Sequence, residues 1–372
     1  MMNLAYKFRI YPTKEQETLI LKTFGCCRFI YNRMLNDKIQ EYEKIGKMKR
    51  TTPAMYKGEF PWLKEVDSLA LANVQLHLES AYKKFFREPK IGFPKFKSKH
   101  SSRQSYTTNM VNGNIFLSKN RLKLPKLGEM KIKVHRDIPE GYVLKSVTIS
   151  REPTGKYFAS ILYSYAESES QTICTNPGNA KILGIDYAMD GMGVFSDGTR
   201  CAYPKYLRRS EEKLVREQRK LSHCRKGSGN YQKQKRKVAL CHEKVRNQRK
   251  DYHHKLSLKI TKEYDVVVVE DLDMKGMSQC LHLGKGVMDN GYGMFRDFLF
   301  YKLKEQGKEL VKIDRFFPSS KKCSVCGHVK KELQLSERIY RCECGSELDR
   351  DVNAAINIRE EGRRILMARE SA

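Results

Sequence analysis

The chain has 372 residues, with 72 Lys and Arg against 43 Asp and Glu, a net charge of +29 and a hydrophobic fraction of 40%. That length leaves room for two or three domains, each able to bury a core without disulfide staples, and the basic surplus, spread over most of the chain, predicts a polyanionic partner, either nucleic acid or a membrane surface. No apolar run approaches the roughly 18 residues of a membrane span, and the start "MMNLAYKFRIYPTK" lacks the apolar core and cleavage site of a secretory signal, so no membrane insertion and a cytoplasmic protein are expected.

The segment "YKFRIYPTKEQ" alternates like a strand and turns helical after Pro12, where Thr13 and Gln16 have the spacing of a capping box. A second helix, from about Ser68 to Phe86, lines up Leu71, Val74, Leu78, Ala81, Tyr82 and Phe85 on one face. Gly92 and Pro94 break it, and "VNGN" predicts a hairpin turning at Asn112 and Gly113. Further strands are expected at 142–150 and 157–165. Residues 1 to about 170 thus read as a small β barrel or sandwich with a helical piece embedded in it. The polar stretch "ESESQTICTNPGNAK" reads as a linker.

Beyond it, "ILGIDYAMDGMGVFSDGTRCAYP" predicts a meander of three antiparallel strands turning at Asp197 and Gly198. A basic helical region follows from about Ser210 to Glu263, split into two long helices by "KGSGN" at 226–230. "YDVVVVED" predicts a fourth strand whose unbroken β-branched run suits a central position covered on both faces. A helix in "MFRDFLFYKLKEQG", a fifth strand in "ELVKIDRF" and a closing helix in "DVNAAINIREEGRRIL" complete the chain.

Three acids stand at comparable places in this order. Asp186 ends the first strand of the meander, Glu270 ends the fourth strand, and Asp351 opens the last helix. RNase H-like folds assemble a metal site in this order, because their first and fourth strands are neighbours and the last helix packs on them. Three carboxylates about 4 Å apart repel by roughly 4 kcal/mol per pair at an effective dielectric near 20, so convergence calls for cations among them. Two Mg²⁺ ions, or Mn²⁺ in their place, would suit carboxylates that share phosphate oxygens and water with a phosphodiester. The plainer alternative is that acids after a strand cap helices or face water, and "VVVVEDLD" taken alone favours it.

"CSVCGHVKKELQLSERIYRCECG" holds Cys323 and Cys326 in one knuckle and Cys342 and Cys344 in a second, each followed by Gly. That is the pattern of a zinc ribbon, with four thiolates round one structural Zn²⁺. The second knuckle is one residue short of the common spacing, which leaves His328 as a substitute ligand. The other seven cysteines are scattered, as expected of reduced thiols.

Together these stretches resemble the TnpB (OrfB) family, insertion-sequence nucleases related to the type V CRISPR effectors. The resemblance is carried in order by "YKFRIYPTKEQE", "GCCRFIYN", "GFPKFKSK", "GIDYAMDG", "DYHHKLS", "VVVEDLD", "PSSKKCSVCG" and "DRDVNAAINI". It implies an α/β plus β fold: a wedge-like β barrel from 1–12 and 95–170, a helical recognition domain at 13–94, and a RuvC-like nuclease domain at 178–372 with a zinc ribbon inserted at 319–348. It implies a catalytic, magnesium-holding triad of Asp186, Glu270 and Asp351, with Asp349 as fallback for the last. It also implies a guide RNA, a double-stranded DNA target beside a short flanking motif, and a place at the nucleoid of a bacterial cytoplasm. Lys95, Lys97, Lys99, Arg103 and Tyr106 are the candidate nucleic-acid contacts, each weighed against a solvated lysine or a core aromatic. Two other functions compete with the nuclease. One is an RNA-guided DNA-binding repressor that does not cut, and the other a transposase that joins strands unaided. "GIDYAMDG" departs from the family's usual "GIDLG" by Tyr187 and Ala188, which removes no acid.

Overall fold

The computed structural model describes residues 2–48, 50–88, 90–99, 104–166, 179–280, 284–334 and 336–371. Two compact units meet in the chain at residue 168. The first begins with β1 (Met2–Tyr11) and α1 (Lys14–Ile45). The capping box forms as its spacing predicts: Thr13 Oγ1 accepts from the Gln16 N–H at 3.3 Å, and Gln16 Oε1 accepts from the Thr13 N–H at 3.0 Å. Two short 3₁₀ turns lead to α2 (Ser68–Arg87), which Asp67 caps by accepting from the Leu69 N–H. Then come β2 (Gln104–Asn109), β3 (Phe116–Leu117), β4 (Arg121–Leu124), β5 (Gly128–Lys133), β6 (Val143–Arg151) and β7 (Tyr157–Tyr165).

These seven strands form one antiparallel sheet in the order β2-β6-β7-β1-β5-β4-β3. One hydrophobic core joins sheet and helices, with Phe8, Ile10, Ile149 and Ile161 from the strands meeting Ile20, Ile30, Met34, Leu71 and Leu78. The hairpin expected at "VNGN" does not form. Asn112 and Gly113 do adopt the left-handed turn (φ 49° and 71°), but the strands on either side part company, β2 pairing with β6 and β3 with β4. The Asn114 side chain accepts from the Val111 N–H and donates to the Asn109 carbonyl, so the loop closes on itself at the end of β2.

The second unit opens with β8 (Ile182–Asp186), β9 (Gly193–Phe195) and β10 (Arg200–Cys201), the expected meander. Helices α3 (Tyr206–Ser222) and α4 (Gly229–Glu263) lead into β11 (Val266–Glu270). Next are α5 (Met274–Cys280), α6 (Gly284–Asn290), α7 (Tyr292–Glu305) and β12 (Glu309–Ile313). The short pair β13 (Ile339–Arg341) and β14 (Glu347–Asp349) precedes α8 (Arg350–Glu370). The sheet order is β10-β9-β8-β11-β12, with β11 parallel to both β8 and β12. No helix among the described residues is long and apolar enough to cross a membrane.

β11 is central, and its four valines are buried on both faces, as an unbroken apolar run requires. Alternation divides them. Val267 and Val269, with Leu183 and Ile185 of β8, pack beneath α4 and α7. Val266 and Val268, with Ile182, pack against Ile358 and Leu366 of α8. The approach of α8 to this second face is close because two glycines permit it. A Cβ on Gly184 would collide with the Ala355 carbonyl and stand 2.7 Å from the Arg359 nitrogen, while one on Gly362 would run into the Val268 side chain.

Gly184→Ala therefore forces backbone apart from backbone and should lower stability by roughly 3 kcal/mol in urea denaturation. Gly293→Ala, in α7 with open space at its Cβ, should instead raise it by about 0.5–1 kcal/mol. Equal effects from the two substitutions would contradict this account of the seam.

Candidate active site and metal centre

The parity that sorts the valines also aims the acids. Asp186 lies two residues beyond Gly184, and Glu270 two beyond Val268, so both leave the carboxyl ends of neighbouring parallel strands on the face that α8 covers. Asp351 sits in the first turn of α8. Glu270 and Asp351 are both close enough to act on Asp186. The Asp186 carboxyl is pushed up to about 8, by burial first and then by the charges of Glu270 and Asp351, with Arg350 and the Tyr187 N–H opposing. Burial also raises Glu270, against the Ser319 hydroxyl that donates to its Oε1 at 2.8 Å. Asp351 Oδ2 accepts from Arg200 Nη1 at 3.3 Å.

The remaining acids of the two motifs have ordinary work. Asp349 is the N-cap of α8, accepting from the N–H groups of Asp351 and Val352, and its other oxygen accepts from Arg200 at 2.6 Å. Asp271 faces Arg296, Lys312 and Arg315 at 3.6 to 3.9 Å. Asp273 starts α5 by accepting from the N–H groups of Lys275 and Gly276. In "VVVVEDLD" the plain reading thus holds for two acids out of three. Only Glu270 turns toward Asp186.

Asp186, Glu270 and Asp351 offer only hard oxygen donors, the set that Mg²⁺ and Mn²⁺ take in preference to softer metals. The displaced Asp186 indicates a place short of positive charge. Both points fit a divalent ion. Among the described residues, though, the one group of three or more metal-ligating side chains whose donor atoms all lie within 4.8 Å is Cys323, Cys326, Cys342 and Cys344. Ser319 and Arg200 engage the outer two carboxylates of the acid group.

The four thiols fit a tetrahedral ion such as zinc. Sγ of Cys323 lies 3.8 Å from that of Cys344, and Sγ of Cys326 3.5 Å from that of Cys342. Cys323 is lowered to about 6: burial pushes its thiol up, but the Cys326 N–H, the Ser346 hydroxyl and the Val325 N–H outweigh it. His328 is outside the group. Its carbonyl accepts from the Cys323 N–H at 2.8 Å, which closes the first knuckle. Two buried asparagines one turn apart on α8 then hold that knuckle. Asn353 accepts from the Ser324 N–H and donates to the Lys322 carbonyl, and Asn357 donates to the carbonyls of Ser319 and Lys322. Their i, i+4 spacing inside "DVNAAINI" was a visible signal of a shared face. Ser319, Arg200 and Arg296 carried none.

The nucleic-acid candidates divide. Lys95, Lys97 and Lys99 are exposed. Asn32 fixes the backbone of Lys97 from both sides, at 2.7 and 2.9 Å, and its ammonium lies 4.0 Å from the centre of the Tyr31 ring. Arg103 lies outside the described residues. Tyr106 is 6% exposed and packs against Phe24, so its ring is part of the core and not a surface for a base. Alternation along β2 explains it, since Tyr106 and Thr108 share the buried face.

An acid whose folded pKa lies above its ordinary 3.8 opposes folding once it ionises, so the Asp186 penalty is absent below about pH 4 and grows up to about pH 8. Asp186→Asn should raise the melting temperature of metal-free protein at pH 8 by on the order of a few degrees, and the gain should vanish near pH 4. A pH-independent difference in the melts would contradict the burial of that carboxyl. Cys323→Ser should cut the yield of folded protein and open residues 323–344 to protease, because a metal held by the four thiolates would supply folding energy there. Metal analysis of wild type and variant, with unchanged proteolysis as the contrary result, checks it.

Three family profiles match the chain: OrfB_IS605, "Probable transposase", over residues 163–281; "Cas12f1-like, TNB domain" over 292–358; and the OrfB "Helix-turn-helix domain" over 1–47, a stretch that the structure forms as β1 and the single long α1. A Streptomyces pristinaespiralis protein named "Putative RNA-guided DNA endonuclease" is 35% identical over 372 residues, covering 96% of this chain and 89% of that one. The Escherichia coli (strain K12) protein "Putative RNA-guided DNA endonuclease InsQ" is 32% identical, covering 98% and 94%. A cryo-EM structure of a Cas12f1–sgRNA–target DNA complex matches the fold with a TM-score of 0.55 at 13% identity, over 96% of this chain and 98% of that one. Identity at this level along nearly the whole of two relatives settles the kinship: the chain belongs to the TnpB (OrfB) family.

Proposed function

We propose that the protein is an RNA-guided, metal-dependent DNA endonuclease, with guide RNA and double-stranded target DNA as its partners. The relatives are named for that activity, and the structural relative is a complex with guide RNA and target DNA. One observation within the chain carries the reading. One acid from the neighbouring parallel strand, Glu270, and one from the helix packed on both strands, Asp351, impose their charges on the buried carboxyl of Asp186. The strand order β10-β9-β8-β11-β12, with the meander first and α8 last, supports a RuvC-like domain over 178–372 with a ribbon inserted at 319–348. The antiparallel sheet with α1 and α2 supports wedge and recognition roles for the unit before it.

In this reading Asp186, Glu270 and Asp351 hold divalent metal. Asp351 is preferred to Asp349 because the latter is spent as a helix cap and on Arg200. Bound there, the metal supplies the charge that activates a water and eases departure of the 3′ oxygen. The chain's own residues arrange the donors. Ser319 orients Glu270 and Arg200 orients Asp351. Arg296 donates to the carbonyls of Glu270 and Leu272 and so fixes the turn after β11. Guide–target pairing supplies most of the sequence specificity, and the distributed Lys and Arg bind backbone, with Lys95, Lys97 and Lys99 as exposed candidates.

Asp186→Ala should abolish cleavage of a matched plasmid in Mg²⁺ while changing guide and target affinity less than about threefold. Cleavage at the wild-type rate, or binding lost together with the fold, would refute the assignment.

A further inference from the structure

The acid site is covered from two sides. α8 supplies Asp351 on one face of the sheet, and from the other face comes Tyr292, the first residue of α7. Tyr292 is 1% exposed. Its ring centre lies 4.5 Å from that of Tyr187, the residue after Asp186, and the guanidinium of Arg296 sits 5.7 Å from its ring centre while donating to the Glu270 carbonyl. Asn290 locks this arrangement. Its Oδ1 accepts from the Tyr292 N–H at 3.2 Å, and its Nδ2 donates to the Tyr187 hydroxyl at 2.7 Å and to the carbonyls of Met189 and Gly191. The loop after Asp186 and the start of α7 are thereby tied together through one side chain.

Of the two adjoining phenols, Tyr187 has a partner and Tyr292 has none: among the described residues its hydroxyl is buried without a hydrogen bond. Buried polar groups are nearly always satisfied, and the exceptions ask for an explanation. The surroundings supply one. The carboxyl groups of Asp186 and Glu270 lie within electrostatic reach of that phenol, with Arg296 and Tyr187 beside its ring. A lone O–H with carboxylates as its electrostatic neighbours is a hydrogen-bond donor kept for them.

We propose that Tyr292 is a positioning residue for Asp186, its hydroxyl donating to that carboxylate when divalent metal is bound and so fixing which oxygen faces the ion. This rests on the reading of Asp186, Glu270 and Asp351 as a metal site. Such outer partners of a ligating carboxylate typically change metal affinity by about 10- to 100-fold when removed.

The test is Tyr292→Phe in the full chain with its guide RNA, keeping the ring and deleting only the oxygen. Three quantities are measured: the melting temperature without divalent metal, Mn²⁺ affinity without DNA by titration calorimetry, and cleavage at saturating target. The expected result is an unchanged or higher melting temperature, Mn²⁺ binding weaker by about tenfold or more, and slower turnover with unchanged target affinity. In an Asp186→Asn background the same substitution should cost nothing further, because the effect passes through Asp186. The proposal is overturned by wild-type Mn²⁺ affinity in Tyr292→Phe where Asp186→Asn weakens it, by equal losses in both backgrounds, or by unfolding of Tyr292→Phe, which would mean that the hydroxyl serves the core. If Asp186→Asn leaves Mn²⁺ binding untouched, the metal-site reading itself fails, and this role falls with it.

Discussion

The contact on which the second unit depends is the seam between α8 and the paired strands β8 and β11. Two glycines, one in a strand and one in the helix, remove the side chains that would otherwise hold helix and sheet apart. Once the helix lies that close, its first turn is brought to the carboxyl ends of both strands. The acids are thereby brought within electrostatic reach of Asp186. A parallel pair in register ends at the same level, alternation sends Asp186 and Glu270 to the helix side, and the N-terminus of α8 brings Asp351. The positive end of a helix dipole is also where a carboxylate costs least.

Much of this was legible in the sequence because the signals were local or periodic. The valine run fixed a buried central strand, the capping box fixed the start of α1, and the two cysteine knuckles fixed a ligand cluster. Errors arose where a local signal depended on a distant partner. Asn112 and Gly113 turn as their types dictate, yet which strand β2 pairs with is decided by β6, more than 30 residues on. Tyr106 stands among lysines and arginines in the sequence, but the neighbours that matter are Phe24 and the pleat of β2. Composition describes the company a residue keeps along the chain and not the side of the sheet it faces.

The candidate site follows the same division. The acid order could be read, but the roles of the surplus acids could not, because Asp349, Asp271 and Asp273 differ from Glu270 only in what surrounds them after folding. Caps and basic neighbours absorb those three. Arg200 and Ser319 were silent for a related reason. An arginine or a serine gains a role at a carboxylate only through a contact made across 151 or 49 positions of sequence.

One helix therefore serves three tasks that are separate along the chain. α8 presents Asp351, closes the core over β8 and β11, and grips the first cysteine knuckle through Asn353 and Asn357. Asn357 also holds the carbonyl of Ser319, whose hydroxyl binds Glu270. A buried asparagine thus bridges the backbone next to Cys323 and the backbone of Ser319, whose hydroxyl holds an acid of the candidate site. The cysteine segment, which lies between β12 and α8 in the chain, thus adjoins both the helix and the candidate acid site.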